Sequence, residues 1–178
     1  MLFKSSLIFV AVIGASLAAT ASQCAKKEAK AVKECVQLLQ DSTEGVKKLF
    51  ASNFDKKNQD EMNEICKKSQ ACFADLKKKC SDFPPEATST LDFICGKIEF
   101  FTGPFSECMI KLIKLDDTPT GGCGEKMLNS EIFENPKNAC KAVKDTIGCE
   151  KDIGKVCDAA AEKLFHDENQ KDLKKYKC

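Results

Sequence analysis

Hydrophobic positions recur at steps of three or four residues along most of the chain, which is the spacing of one face of an α-helix. Alternation of hydrophobic and polar positions, which would indicate strands, is almost absent. The pattern therefore predicts an all-α fold. We expect about seven amphipathic helices, over residues 24–40, 43–53, 57–80, 88–101, 104–115, 125–147 with a break near Asn135, and 149–166.

Cysteines lie on the hydrophobic faces of these predicted helices. The face of the third helix consists of Met62, Ile65, Cys66, Ser69, Cys72, Phe73, Leu76 and Cys80. The face of the last helix consists of Cys149, Ile153, Val156, Cys157, Ala160 and Leu164. Because an inward-facing cysteine can reach a neighbouring helix, this placement predicts bridges between helices.

Capping residues, glycine and proline predict where several helices begin and end. Asn135–Pro136 is typical of an N-cap followed by proline at the first helical position, and Gly148 of a helix C-terminus. Ser89 and Asp92 resemble a capping box. The loop at 118–124 is either a domain boundary or a connection crossed by disulfides, and we expect a single domain.

Residues 1–21 have the order of a secretory signal peptide: a lysine, an apolar run from Leu7 to Leu17, and small residues ending at Ala21. We expect cleavage after Ala21 or within two residues of it, which leaves 22–178 as a cysteine-rich helical extracellular domain. The alternative is a membrane anchor, but the run is shorter than the roughly 20 apolar residues of a spanning helix. We therefore expect no stable membrane insertion after cleavage.

All twelve cysteines follow the predicted cleavage point, and in an exported chain their even number predicts six disulfides without fixing the pairing. Zinc binding and dithiol redox chemistry are disfavoured because the sequence has no Cys-x-x-Cys pair. We expect no metal and no cofactor. The predicted bridge residues are Cys24, Cys35, Cys66, Cys72, Cys80, Cys95, Cys108, Cys123, Cys140, Cys149, Cys157 and Cys178.

The charges nearly balance, since 28 lysines and no arginine stand against 27 aspartates and glutamates. A nucleic-acid-binding protein would show a basic excess on one face, so we expect no nucleic-acid partner. Lysine runs at 26–27, 77–79 and 174–175 could contact anionic lipid headgroups or sulfated glycans. Neighbouring acids favour the interpretation that the runs are solvated helix faces.

A nucleophile-and-base mechanism would have to use His166, the one histidine of the chain. The sequence has no nucleophile motif such as Gly-x-Ser-x-Gly, and we interpret His166 as a solvated residue at a helix end. We predict no catalytic residue and no enzymatic activity.

Phenylalanine is abundant, and four of the 12 lie close together in sequence: Phe93, Phe100, Phe101 and Phe105. These rings are expected to form part of a helix-bundle core. The alternative is that they line an apolar cavity between helices, which would bind a lipid or another small hydrophobic molecule.

The order of leader, twelve cysteines and lysine-rich amphipathic helices resembles the nematode-expanded secreted family called domain of unknown function 19. The resemblance extends from Cys24 to Cys178 and rests on cysteine count, spacing and helical texture. It implies a nematode extracellular protein with six disulfides. It carries over no functional residue, because the family has no assigned activity.

These observations together predict a secreted monomer that acts by binding an extracellular protein partner. Carriage of a small hydrophobic ligand in an inter-helix cavity is the alternative.

Overall fold

The structure is a computed structural model, and its described residues are 26–81, 83, 85–115, 122–127 and 139–178. Within these ranges the chain forms eight α-helices and no strand, so the all-α prediction is confirmed. The predicted signal peptide, Cys24, most of the loop 118–124 and the Asn135–Pro136 cap lie outside the described residues.

The chain divides into two compact units, Met1–Ile98 and Glu99–Cys178, with the boundary inside the third helix. The expectation of a single domain stays a prediction. In chain order the helices are α1 (Ala29–Ala51), α2 (Lys56–Lys79), α3 (Pro85–Thr102), α4 (Ser106–Leu115), α5 (Cys123–Met127), α6 (Ala139–Ile147), α7 (Glu150–Val156) and α8 (Ala159–Lys175).

In the first unit, α1 packs against α2 and the two are joined by the Cys35–Cys72 disulfide. A second disulfide, Cys66–Cys95, joins α2 to α3. The buried face of α2 lies close to the predicted one. It consists of Gln59, Met62, Cys66, Ser69, Phe73 and Leu76.

The prediction of two helices over residues 24–40 and 43–53 is wrong, because α1 is continuous from Ala29 to Ala51. Polar side chains at the expected break are satisfied inside the helix. The Ser42 hydroxyl donates to the Leu38 carbonyl at 2.8 Å, and the Gln37 amide donates to the Asp41 carboxylate at 3.0 Å. These residues therefore form hydrogen bonds within one continuous helix and do not cap the ends of two helices.

A tight turn separates α1 from α2. Asn53 and Phe54 adopt left-handed backbone conformations with φ of 50° and 60°, which non-glycine residues seldom do. The Phe54 ring is buried, and the Phe54 backbone carbonyl accepts a hydrogen bond from the Gln59 side-chain amide at 2.6 Å. Asp55 then caps α2 by accepting from the Asn58 backbone N–H at 2.8 Å, and this hydrogen bond lowers the pKa of the Asp55 carboxyl.

The capping box predicted at Ser89 and Asp92 is also wrong, since both residues lie inside α3. Pro85 occupies the first helical position, where a fixed φ and a missing N–H are tolerated. The Asp92 carboxylate instead accepts a hydrogen bond from the Gln70 amide of α2 at 3.1 Å.

In the second unit, α7 packs against α4 and α8, and α6 packs against α5 and α8. Three disulfides connect these short helices: Cys108–Cys157, Cys123–Cys149 and Cys140–Cys178. Short helices have little stability of their own in water, so these cross-links and the packing between helices hold the unit together.

The predicted helix 149–166 is two helices. The chain leaves α7 at Cys157, and the extended Asp158 starts α8 by accepting from the Ala161 N–H at 2.7 Å. The interruption changes which face is buried. Ala160 and Leu164, predicted on the hydrophobic face, are exposed, while Ala161 and Phe165 are buried.

Substitutions at two glycines test the packing of the first unit. A Cβ on Gly45 of α1 would lie 2.6 Å from the Met62 sulfur, whereas a Cβ on Gly96 of α3 would meet nothing within 4 Å. We expect Gly45→Leu to lower the free energy of unfolding by about 1–3 kcal/mol through overpacking. We expect Gly96→Ala to raise it by about 0.5–1 kcal/mol, because alanine is the better helix former.

Urea unfolding of both variants under non-reducing conditions, followed by circular dichroism at 222 nm, measures the two changes. A Gly45→Leu protein as stable as the parent would contradict the close approach of α1 to α2.

Candidate functional site

Four phenylalanine rings form one cluster in the second unit. Phe105, just before α4, is stacked on Phe100 with ring centroids 5.1 Å apart. Its centroid lies 6.2 Å from that of Phe101 and 5.6 Å from that of Phe165. All four rings are buried, and Phe105 and Phe165 are each only 1% exposed. The rings are at the distances at which aromatic side chains pack directly against one another.

Three of the four predicted ligand-lining residues, Phe100, Phe101 and Phe105, belong to this cluster. The fourth, Phe93, is buried in the first unit, with the Lys97 ammonium 5.9 Å from its ring centroid. The fourth ring of the cluster, Phe165, had no place in the predicted lining. The hydrophobic pattern places its neighbour Leu164 on the buried face, so the predicted face is displaced by one residue from the observed one. The ligand-lining role of the four residues stays a prediction.

The buried face of α8 becomes polar towards its C-terminus. Phe165 is followed on this face by Asn169 and Asp172, both buried. Neither polar atom of the Asn169 amide has a hydrogen-bond partner in the described structure, although the residue is only 1% exposed. A cavity for an apolar ligand is lined mainly by hydrophobic groups, so this face is poorly suited to one.

The prediction that His166 lies at a helix end is wrong, because α8 continues to Lys175. Its Nδ1 lies 3.1 Å from the Glu150 carboxylate of α7, which connects the start of α7 to the middle of α8. The imidazole is about half exposed. The residues thus provide a histidine–carboxylate pair, but the described contact of the imidazole is with an acid and not with a nucleophile.

The cysteines of the described chain are all oxidised. Five bridges are described, and Cys80 is disulfide-bonded as well. The predicted sixth bridge involves Cys24 if all twelve pair, and that residue lies outside the described ranges. Since none of the described thiols is free, none can act there as a nucleophile or as a thiolate ligand.

The described residues lack two further features. No group of three or more histidine, cysteine or acidic side chains in them is placed to hold a metal ion. Among the described helices, none combines the length and the apolar character that crossing a bilayer requires.

Large hydrophobic side chains are exposed at two described positions, both in the second unit. Leu115 at the end of α4 is 56% exposed and Leu164 of α8 is 41% exposed. An interaction role predicts an exposed apolar patch, and these two residues are the candidates that the described chain offers for one.

Comparison with known proteins identifies one family. A family model described as a domain of unknown function (DUF19) matches residues 24–178, which is the span from the first cysteine to the last. Neither a curated protein nor a solved structure matches the chain.

Proposed function

Because the chain belongs to the DUF19 family, whose description assigns no activity, we propose from its own residues that it is a secreted module that binds an extracellular protein partner through its outer surface. The interior serves as a brace for that surface. In this proposal the chain has no catalytic role.

The state of the cysteines supports an extracellular setting. Every described cysteine is in a disulfide, and disulfides form and persist in oxidising compartments. Cross-links between helices also keep an exterior surface in one shape, so less conformational entropy is lost when a partner binds.

The single observation that carries the binding role is the packing of the phenylalanine cluster. Phe105 contacts three other rings, and all four are buried against protein. A carrier would need these rings to face a ligand, whereas here they face each other. The buried amide of Asn169 further along α8 adds polarity to the same unit, which also favours a surface role over apolar carriage.

Native mass spectrometry of the secreted full chain tests the proposal. We expect one monomeric species with the mass of the oxidised chain after leader removal, and no bound lipid. A fluorescent fatty acid should show no saturable binding, with serum albumin as the positive control. Lipid that co-purifies with the protein and is displaced by fatty acid would instead support carriage between the helices.

A binding assay tests the positive part of the proposal. The secreted protein should bind saturably to immobilised extracellular-fluid proteins, and full reduction with alkylation should abolish this binding because the braced surface is lost. His166→Ala should bind as well as the parent. Undiminished binding by the reduced chain would contradict a requirement for a folded surface.

A further inference from the structure

Three contacts fix the register of the hairpin formed by α1 and α2. The Cα atoms of Cys35 and Cys72 are 5.6 Å apart, the Ser42 and Ser69 hydroxyl oxygens are 3.5 Å apart, and the Lys48 ammonium lies 3.1 Å from the Glu61 carboxylate. As the residue number rises in α1, that of its partner falls in α2. The helices are therefore antiparallel, and the first turns of α1 lie beside the last turns of α2.

This register brings two lysine segments to the same end of the hairpin. Lys30 lies five residues before Cys35, and Lys77 lies five residues after Cys72. At a rise of about 1.5 Å per residue, both lie about 7.5 Å beyond the disulfide. The pKa of Lys79 is raised first by Asp75 and also by the negative charge of Glu28 in the first segment, in agreement with this pairing.

We define the basic pole as the lysines of residues 26–34 and 75–79. These segments hold seven of the chain's 28 lysines and three carboxylates, in a chain whose charges nearly balance. Asp82 follows the second segment outside the described residues, and an excess of three positive charges remains when it is counted. All seven lysines are exposed. They are Lys26, Lys27, Lys30, Lys33, Lys77, Lys78 and Lys79.

The lysines of the pole lie on two helices that are cross-linked to each other. A hydrogen bond to the Asp75 carboxylate, at 2.7 Å, raises the pKa of Lys79 above its ordinary value. The Cys35–Cys72 bridge joins the two helices two to nine residues along the chain from the lysines, and Cys35 is buried. The two lysine segments therefore keep their spacing.

The side-chain types of the basic pole favour one class of polyanion over the others. Within residues 26–34 and 75–79 the pole exposes no large hydrophobic side chain of the kind that inserts into a membrane. It also has no arginine, which reads phosphates and bases bidentately, and no exposed aromatic ring for stacking on bases. Lysines act as point charges, which suits a ligand recognised by dense negative charge alone.

We propose that the basic pole binds a sulfated polysaccharide. The proposal rests on the extracellular role proposed above, because such chains lie outside the cell. It adds to that role a second partner of a different class, bound by the first unit. Sulfate groups along a linear polysaccharide would pair with the lysines of both helices at once, and the bound chain would hold the module at a matrix or cell surface.

Heparin is the probe for the test. We expect the oxidised full chain to bind heparin at 0.15 M salt and to lose the binding steeply as salt rises, because exposed ion pairs are screened. The triple variant Lys30→Gln, Lys77→Gln, Lys78→Gln should bind at least about tenfold more weakly, the combined loss of three exposed ion pairs. Surface changes of this kind leave the fold intact, which circular dichroism checks.

The matched control removes the same charge elsewhere on the hairpin. Lys47→Gln, Lys57→Gln, Lys67→Gln replaces three exposed lysines outside the pole, and its affinity for heparin should fall less than about threefold. Equal losses in the two triple variants would show general charge attraction and overturn the proposal, as would absence of heparin binding by the parent.

Two further arms separate the outcomes. Desulfated heparin should not bind, and vesicles of phosphatidylserine should bind more weakly than heparin. Stronger binding to vesicles would assign the pole to a membrane and overturn the glycan proposal. The fatty-acid and native mass measurements do not depend on heparin, so the proposed function can fail while the pole binds, or the reverse.

Discussion

Replacing Phe165 with alanine is expected to lower the free energy of unfolding by about 3–5 kcal/mol, whereas the same change at its neighbour Leu164 should alter it by less than about 1 kcal/mol. Phe165 is 1% exposed, and its ring centroid lies 5.6 Å from that of Phe105 and 6.5 Å from that of Phe100. Alanine there would leave a cavity inside the cluster. Leu164 is 41% exposed, so its side chain loses little contact when it is truncated.

Denaturant unfolding of both variants with the disulfides intact measures the difference. The pair is well matched, because the two residues are adjacent on α8 and both changes shorten a large hydrophobic side chain to the same methyl group. The prediction discriminates between the sequence pattern, which placed Leu164 on the hydrophobic face, and the structure, which buries Phe165. A larger cost at Leu164 would mean that the predicted face is the true one.

Where one helix runs without interruption, the hydrophobic pattern predicts the buried face well. In α2, Met62, Cys66, Ser69 and Phe73 are all buried, as their spacing indicates. Periodicity carries this information because each step of three or four residues returns to the same side of the helix.

The pattern fails where a helix is interrupted. Residues 149–166 keep helical spacing, but the chain leaves the helix at Cys157 and resumes after Asp158, which shifts the phase of everything that follows. Cys157 is held by its bridge to Cys108 of α4, and this distant partner is not visible in local sequence. Asp158 is a local signal of the interruption, since aspartate is a strong N-cap, but hydrophobic positions continue at helical spacing on both sides of it.

The basic pole could not be predicted from the sequence for a similar reason. The lysine runs at 26–27 and 77–79 are plain in the sequence, and each alone is typical of a solvated helix end. Their combination depends on the pairing of Cys35 with Cys72, and twelve cysteines allow far too many pairings for the sequence to choose one. Only the register of α1 against α2 in the structure places Lys30 and Lys77 at the same end of the hairpin.

The disulfides of the described chain differ in how well protein covers their sulfur atoms. Four of the five bridges include at least one buried cysteine: Cys35, both Cys66 and Cys95, Cys108, and Cys149. Cys80, also bonded, is buried too. The bridge from Cys140 of α6 to Cys178 has none, since Cys178 is exposed and Cys140 is partly exposed. Thiol–disulfide exchange requires a thiolate to approach a sulfur atom directly, so access limits its rate.

We therefore expect Cys140–Cys178 to be the first described bridge to open when the folded protein is treated with a small amount of a dithiol reductant. One dithiol is oxidised to its cyclic disulfide and the bridge takes up two electrons and two protons to become two thiols. Alkylation at successive times, followed by peptide mass spectrometry, should label these two cysteines before the nine other described cysteines. The variant Cys140→Ala, Cys178→Ala should lack this early labelling and keep the labelling times of the remaining bridges. Cys66 and Cys95 are both buried, so early labelling of either would contradict the order expected from burial. It would mean that the first unit opens more readily than the C-terminal end of the chain.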